Sequence, residues 1–260
     1  MNAPPLQFSC AGHSVVGRRS GNQDAYFMQP RLGLFVVADG MGGYAGGEVA
    51  SGIVVHTLHD FFHNRDLDAD VPRGDDEGRL DALVRSVDAG LRLAHREVSA
   101  SKRGPLHQMG STALVVVLRH RALVVGNLGD CRLYRLRGDV LTLLTTDHSV
   151  AEELLAGTKG TPAYADGVAE RYRHCLTRAV GMAGEPDGDV SCHPIAVGDR
   201  YLLCSDGLWG VLEPITLATA LSDETPLLAC DRLIETAYAA HSSDNITAVV
   251  VDVHAPGTIP

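Results

Sequence analysis

Apolar residues recur along the chain in two rhythms. Uninterrupted aliphatic and β-branched runs stand at Leu34–Ala38, Ser111–Leu118, Ala122–Leu128, Arg132–Leu136, Val140–Leu144, Tyr201–Ser205 and Ile246–Val253. Runs this short, bounded by turn residues, predict strands buried on both faces. Two further short strands flank the polar loop 17–24. The runs between Ser111 and Leu144 are separated by tight turns such as Arg137-Gly138-Asp139 and read as an antiparallel meander. The second rhythm has three- and four-residue spacing. Ala50, Val54, Leu58, Phe61 and Phe62 form one stripe, Leu80, Leu83, Val84, Val87, Leu91, Ala94 and Val98 a second, and Leu227, Cys230, Leu233, Ile234 and Ala237 a third. Each predicts an amphipathic helix with one face on a sheet. A short helix near Ala151 to Leu155 opens the otherwise irregular stretch 147–173.

The order is strands, two helices, many strands, a helix and a strand, which excludes a doubly wound parallel sheet. It predicts an α+β fold: two stacked antiparallel β-sheets flanked by pairs of helices, an αββα sandwich. With 260 residues, no internal repeat and no interdomain linker, residues 1–260 read as a single domain with a core from about residue 7 to 254. Between the first two helices, Asn64 to Arg79 loses all periodicity and gathers acids from Asp66 to Glu77. A solvated loop is preferred there over a metal site, because no strand or helix holds those acids in place.

A formal net charge of −10 argues against nucleic acid as the main partner, which would need a basic surface. No apolar run of about 18 residues is present to span a membrane, and the N-terminus lacks secretory features, so a soluble cytoplasmic chain is expected. The six scattered cysteines form no Cys-x-x-Cys pair and read as free, buried thiols.

The chemistry lies where strands stop. Leu34–Ala38 ends on Asp39-Gly40, and Tyr201–Ser205 ends on Asp206-Gly207. Asp24 follows a polar loop, Asp130 follows Ala122–Leu128 after one glycine, and Asp244 precedes the last strand. A single Asp-Gly after a strand is equally a turn. Five carboxylates at strand ends, with no accompanying His or Cys, suit hard cations such as Mg²⁺ or Mn²⁺, which would offset their mutual repulsion. Two such ions activate water and stabilise a transferring phosphoryl group. Arg19, in the loop of Asp24, offers a fork matched to phosphate. Taken alone it would more commonly be a surface ion pair.

Seven segments then fall into a familiar order. They are Arg19-x-x-Asn22-Gln23-Asp24, Val37-Ala38-Asp39-Gly40-Met41-Gly42-Gly43, Met109-Gly110-Ser111-Thr112, Gly126-Asn127-Leu128-Gly129-Asp130-Cys131-Arg132, Leu176-Thr177-Arg178-Ala179-Val180-Gly181, Leu203-Cys204-Ser205-Asp206-Gly207-Leu208-Trp209 and Asp244-Asn245-Ile246-Thr247. Together they resemble the bacterial metal-dependent serine/threonine protein phosphatases of type 2C, from about Val15 to Val253. The resemblance implies hydrolysis of phosphoserine and phosphothreonine in proteins by a metal-bridged water that attacks phosphorus. It also implies two Mn²⁺ or Mg²⁺ ions, with a third in bacterial members. By the same resemblance Asp39 bridges two ions, Gly40 lends its carbonyl, Asp206 and Asp244 complete the first ion, and Asp24 acts directly or through water. Asp130 with Asp206 would hold the third ion. Arg19 matches the phosphate ligand, and 151–173 the flap beside the site. A Ser/Thr kinase and its targets are the implied partners, and a monomer is expected.

Two departures stand out. Gln23 replaces the Glu of many members, which weakens a supporting role at the second ion. Met41 replaces the His of eukaryotic members, so no side chain there protonates the leaving alkoxide, and metal-bound water becomes the implied acid. His148 and His174 lie near the motifs, but among 12 histidines a hydrogen-bonding or surface imidazole is the simpler reading. The alternative function is a catalytically weak member that acts as a partner-binding regulator. A Ca²⁺-binding β-protein is disfavoured by the absence of an Asp-x-Asp-x-Asp loop.

Overall fold

Side chains alternate across a strand, and that alternation divides each long apolar run between two cores. In β3 (Leu34–Met41), Leu34, Val36 and Ala38 face one way, while Phe35 and Val37 face the other. β5 (Ala113–Arg119) divides in the same way, with Val115 and Val117 set against Leu114 and Val116. Both faces are buried, which is why neither run shows a polar–apolar period. The computed structural model describes residues 6–42, 46–65, 67, 76–119, 121–157 and 171–258.

One sheet holds β2 (Asp24–Gln29), β3, β5, β6 (Ala122–Leu128) and β9 (Asp189–Pro194) in that spatial order, with the short β4 (Gly110–Ser111) beside β3. The other runs β1 (Gln7–Val15), β11 (Ile246–His254), β10 (Arg200–Cys204), β7 (Arg132–Arg137) and β8 (Val140–Leu143). The pairs within both sheets are antiparallel. Helices α1 (Gly46–His63) and α2 (Asp76–Ala100) cover the first sheet. Their buried stripes, Ala50, Val54, Leu58 and Phe62, and Leu83, Val87, Leu91, Ala94 and Val98, close an outer core against β3, β5 and β6. Helices α5 (Pro214–Leu221) and α6 (Pro226–Ala239) close the matching core on the second sheet with Leu217, Leu233, Leu202 and Val250. Between the sheets lie Phe35, Leu114, Leu133, Tyr201 and Val249. Truncating a fully buried phenylalanine such as Phe35 to alanine costs about 3–5 kcal/mol. The short helices α3 (Val150–Gly157) and α4 (Asp206–Trp209) lie outside these layers' long elements.

This is the αββα sandwich expected, with corrections of detail. The runs from Ser111 to Leu144 are not one meander. β5 pairs with β6 and β7 with β8, but the turn 129–131 carries the chain from one sheet to the other. A run buried on both faces does not disclose its neighbour, and Cys131 enters the inter-sheet core at the crossing. Asp76 to Arg79 belong to α2 rather than to the preceding loop. Asp76 and Glu77 occupy its first turn, where acids favour the positive end of the helix dipole. β9 and α5 have no counterpart among the predicted elements. All six cysteines are free, but Cys175 and Cys192 are exposed rather than buried. Most of the acidic loop (66 and 68–75) and residues 158–170 of the expected flap lie outside the described residues.

Candidate metal centre

The strand-end acids meet at one end of the sandwich. Asp24 and Asp39 sit opposite each other in the β2–β3 register. Asp130 follows β6, Asp206 follows β10 as the first residue of α4, and Asp244 stands two residues before β11. Asp39, Gly40, Asp130, Asp206 and Asp244 line one cleft of about 660 Å³ together with Arg19, Gln23, Met41 and His174. Asp24 lies behind it, buried against Asp39.

Backbone and hydroxyl groups fix each acid. The Asp39 N–H donates to Thr112 Oγ1 at 2.8 Å, and its carbonyl accepts from Thr112 N and Ser111 Oγ. Ser205 Oγ and Thr247 Oγ1 donate to Asp24 Oδ2 at 2.7 and 2.5 Å, so the second sheet steadies an acid of the first. Trp209 Nε1 donates to the Asp130 carbonyl at 2.9 Å. Its ring carries the Arg132 guanidinium 3.5 Å from the centroid, and Arg132 is held in turn by both oxygens of Asp147. Asn245 ties the Arg19 loop to the start of β11: its Oδ1 accepts from Gln23 N, and its Nδ2 donates to the carbonyls of Val16 and Gly21. Gly40 is required by close approach. A Cβ there would lie 2.0 Å from the Gly47 carbonyl oxygen and 2.7 Å from that of Gln23.

The electrostatics are those of carboxylates forced together. Burial holds the Asp39 carboxyl well above the usual range, and the charges of Asp24, Asp206, Asp130 and Asp244 add to it. Asp24 is pushed up to about 6, first by burial, with the Thr247 and Ser205 hydroxyls opposing and Asp206 and Asp244 adding. Asp130 rises to about 8, through burial and then the charges of Asp206 and Asp147. Asp24 Oδ1 and Asp206 Oδ1 are buried and have no hydrogen-bond donor among the described residues. Orphaned carboxylate oxygens facing a cluster of like charge are costly, and a hard cation relieves both defects at once. The residues present therefore fit divalent metal.

Arg19 forms an ion pair, as its simpler reading had it. Its Nη2 donates to Asp244 Oδ2 at 2.7 Å, an ion pair with the arginine 57% exposed, and the partner is itself a site acid. That hydrogen bond and charge raise the Arg19 pKa. His174, read from the sequence as a hydrogen-bonding or surface imidazole, is one, and its partner is a site acid. Its Nδ1 lies 2.9 Å from Asp206 Oδ2, and ligand atoms of Asp130, His174 and Asp206 all fall within 4.8 Å of one another. The hydrogen bond to Asp206 raises the imidazole pKa. Only its nearness to the Leu176–Gly181 segment marked it in the sequence. That segment is itself scaffold: Val180 exchanges both backbone hydrogen bonds with Ser111. His148 behaves as the simpler reading had it. It is buried, accepts from Gly129 N at Nδ1, and meets Asp189 at Nε2.

A family profile described as "Protein phosphatase 2C" matches residues 11–229. The serine/threonine protein phosphatase PstP of Mycobacterium tuberculosis is 34% identical over 235 residues, covering 90% of this chain. The chain spans only 43% of that relative's length. The serine/threonine phosphatase stp of Listeria innocua is 31% identical, with 84% of each chain covered. Among solved structures, the catalytic domain of PstP in complex with two manganese ions superposes with a TM-score of 0.78 at 33% identity, covering 96% of this chain and 99% of that one.

Proposed function

The chain belongs to the protein phosphatase 2C family, and we propose that it hydrolyses phosphoserine and phosphothreonine in proteins with Mn²⁺ or Mg²⁺ at the carboxylate cleft. One observation carries this: five buried or half-buried carboxylates converge with two orphaned oxygens, and such a set needs protons or cations to offset its charge. Asp39, Asp206 and Asp244 with the Gly40 carbonyl would hold two ions, Asp24 would support them from behind, and Asp130, His174 and Asp206 would hold a further one. When bound, the ions supply an activated water and offset the charge that builds on the transferring phosphoryl group.

The chain's own residues do the rest. Left uncompensated, the five carboxylates would repel a phosphate dianion. Arg19 is exposed at the rim and singly bonded to Asp244, and its remaining N–H groups are placed to take phosphate oxygens. Thr112, Ser205 and Thr247 hold Asp39 and Asp24 in place, which is how the scaffold keeps ligand geometry fixed. Met41 lines the cleft without a titratable group, so the leaving serine or threonine oxygen takes its proton from water rather than from that side chain. The natural partners are a Ser/Thr kinase and its phosphorylated targets, and 1–260 is taken as one catalytic domain. Among the described residues no helix is long and apolar enough to cross a membrane.

The test is turnover of p-nitrophenyl phosphate and of a phosphothreonine peptide after chelation and after Mn²⁺ is restored. Hydrolysis that appears only with the metal supports the reading. Metal-independent turnover, or none under either condition, overturns it.

A further inference from the structure

Away from the cleft, the outward stripe of α1 carries a second set of ligand groups. His56, His59, Asp60 and His63 fall at i, i+3, i+4 and i+7, so they share one stripe, while Ala50, Val54, Leu58 and Phe62 fill the core. His56 Nε2 lies 3.3 Å from Asp60 Oδ2, and His59 Nδ1 lies 3.0 Å from Asp60 Oδ1. One ligand atom from each of the three residues falls within 4.8 Å of the others. Neighbouring ligands on a tetrahedral zinc, at about 2.0–2.1 Å from the metal, stand roughly 3.3 Å apart. The trio is thus already near the spacing that a transition metal imposes.

We propose that this stripe is a binding site for a borderline transition-metal dication, with Zn²⁺ as the probe, separate from the carboxylate cleft. Two imidazoles and one carboxylate match the preference of Zn²⁺, Ni²⁺ and Cu²⁺ for nitrogen ligands, whereas the cleft, with its acids and one imidazole, suits Mg²⁺ and Mn²⁺. His59 is pre-positioned. Its ring packs at 55° on Phe27 with centroids 4.6 Å apart, and it stacks with His63 at 5.3 Å. Each imidazole binds through a lone pair, so the nitrogens now facing Asp60 give up any proton and the opposite nitrogens carry N–H. His63, one turn beyond His59, stands outside the trio, and water completes the shell. The stripe starts nine residues after Gly47, which packs on Gly40. At 1.5 Å per residue that is roughly 14 Å or more along the helix from the cleft. The alternative is a solvated stripe in which Asp60 merely pairs with nearby imidazoles.

Zn²⁺ uptake by equilibrium dialysis separates the two. Three full-length proteins are compared: the natural chain, His59→Ala, and Asp39→Asn, whose cleft is impaired. The site predicts uptake retained by Asp39→Asn and weakened about tenfold or more by His59→Ala. It also predicts a Zn²⁺-dependent rise in Tm for Asp39→Asn that is markedly smaller when His59→Ala is added to it. His56→Ala, at a position with 78% of its side chain exposed, repeats the test with little risk to folding. In Mn²⁺ alone both histidine variants should hydrolyse p-nitrophenyl phosphate like the natural chain. Uptake unchanged by both histidine variants, or abolished by Asp39→Asn, would overturn the site.

Discussion

Thr247 illustrates how much of the site depends on groups that never meet the substrate. Its hydroxyl and that of Ser205 both donate to Asp24 Oδ2, leaving Oδ1 without a partner among the described residues. Thr247→Val keeps the shape and removes the hydroxyl donor, so Mn²⁺ affinity should fall by about 10–100-fold, read as a shift in the activating concentration, with little change in turnover at saturating metal. Arg19 differs. Its partner is Asp244, and the proposed function gives the same guanidinium to phosphate. Arg19→Ala should raise the KM for a phosphothreonine peptide by about tenfold while the Mn²⁺ requirement stays the same or loosens, since Asp244 loses a competitor. Loss of metal binding in parallel would make Arg19 structural. At this scale the acids were legible because each stands at one end of an apolar strand, and five such acids together demand a reason. His174 was not, since it follows an irregular stretch and only the fold brings it to Asp206.

The two elements that matter most are β3 and α1, and they touch through glycines. The Gly40 amide donates to the Gln23 carbonyl, and the Gly47 carbonyl approaches where a Cβ on Gly40 would stand. Gly40→Ala cannot be relieved by a side-chain rotation, because both obstructing atoms belong to the backbone. It should cost at least about 3 kcal/mol, the upper end of overpacking penalties, and lose activity with it. Thermal unfolding and Mn²⁺-dependent turnover check both parts. Helices α1, α2 and α6 were readable from their stripes, and β3, β5, β6, β10 and β11 from unbroken apolar runs. β9 was not, because Asp189-Val190-Ser191-Cys192-His193-Pro194 is an edge strand that is half solvated and ends in proline. The crossing from β6 to β7 was hidden for another reason. Both strands are apolar and adjacent in sequence, and only the burial of Cys131 between the sheets separates a hairpin from a crossover.

Across the whole molecule, the site is a source of instability that metal removes. Asp24 and Asp130 have folded-state pKa values of about 6 and about 8, above the ordinary carboxylate value, and burial holds Asp39 well above that ordinary value too. A raised carboxyl binds its proton more tightly when folded. The metal-free protein is therefore most stable with these groups protonated, and loses stability as pH rises through those values. Its Tm should fall between about pH 6.5 and about pH 8.5, a window above the titration of the ion-paired Asp189 and Asp199, whose pKa values are lowered. Mn²⁺ competes with those protons, so the Tm gained on adding it should grow over the same window. A metal-free Tm that rises with pH, or a Mn²⁺ increment independent of pH, would contradict the arrangement.

Sharing of Asp39 between cations is read most simply by counting bound Mn²⁺ in a calorimetric titration. The natural chain should take up at least two ions. Asp39→Asn should leave at most weak binding at the Asp130–His174–Asp206 cluster, because one ligand serves both central ions. If Asp39→Asn binds as many ions as the natural chain with similar affinity, Asp39 bridges nothing and the account of the site is wrong.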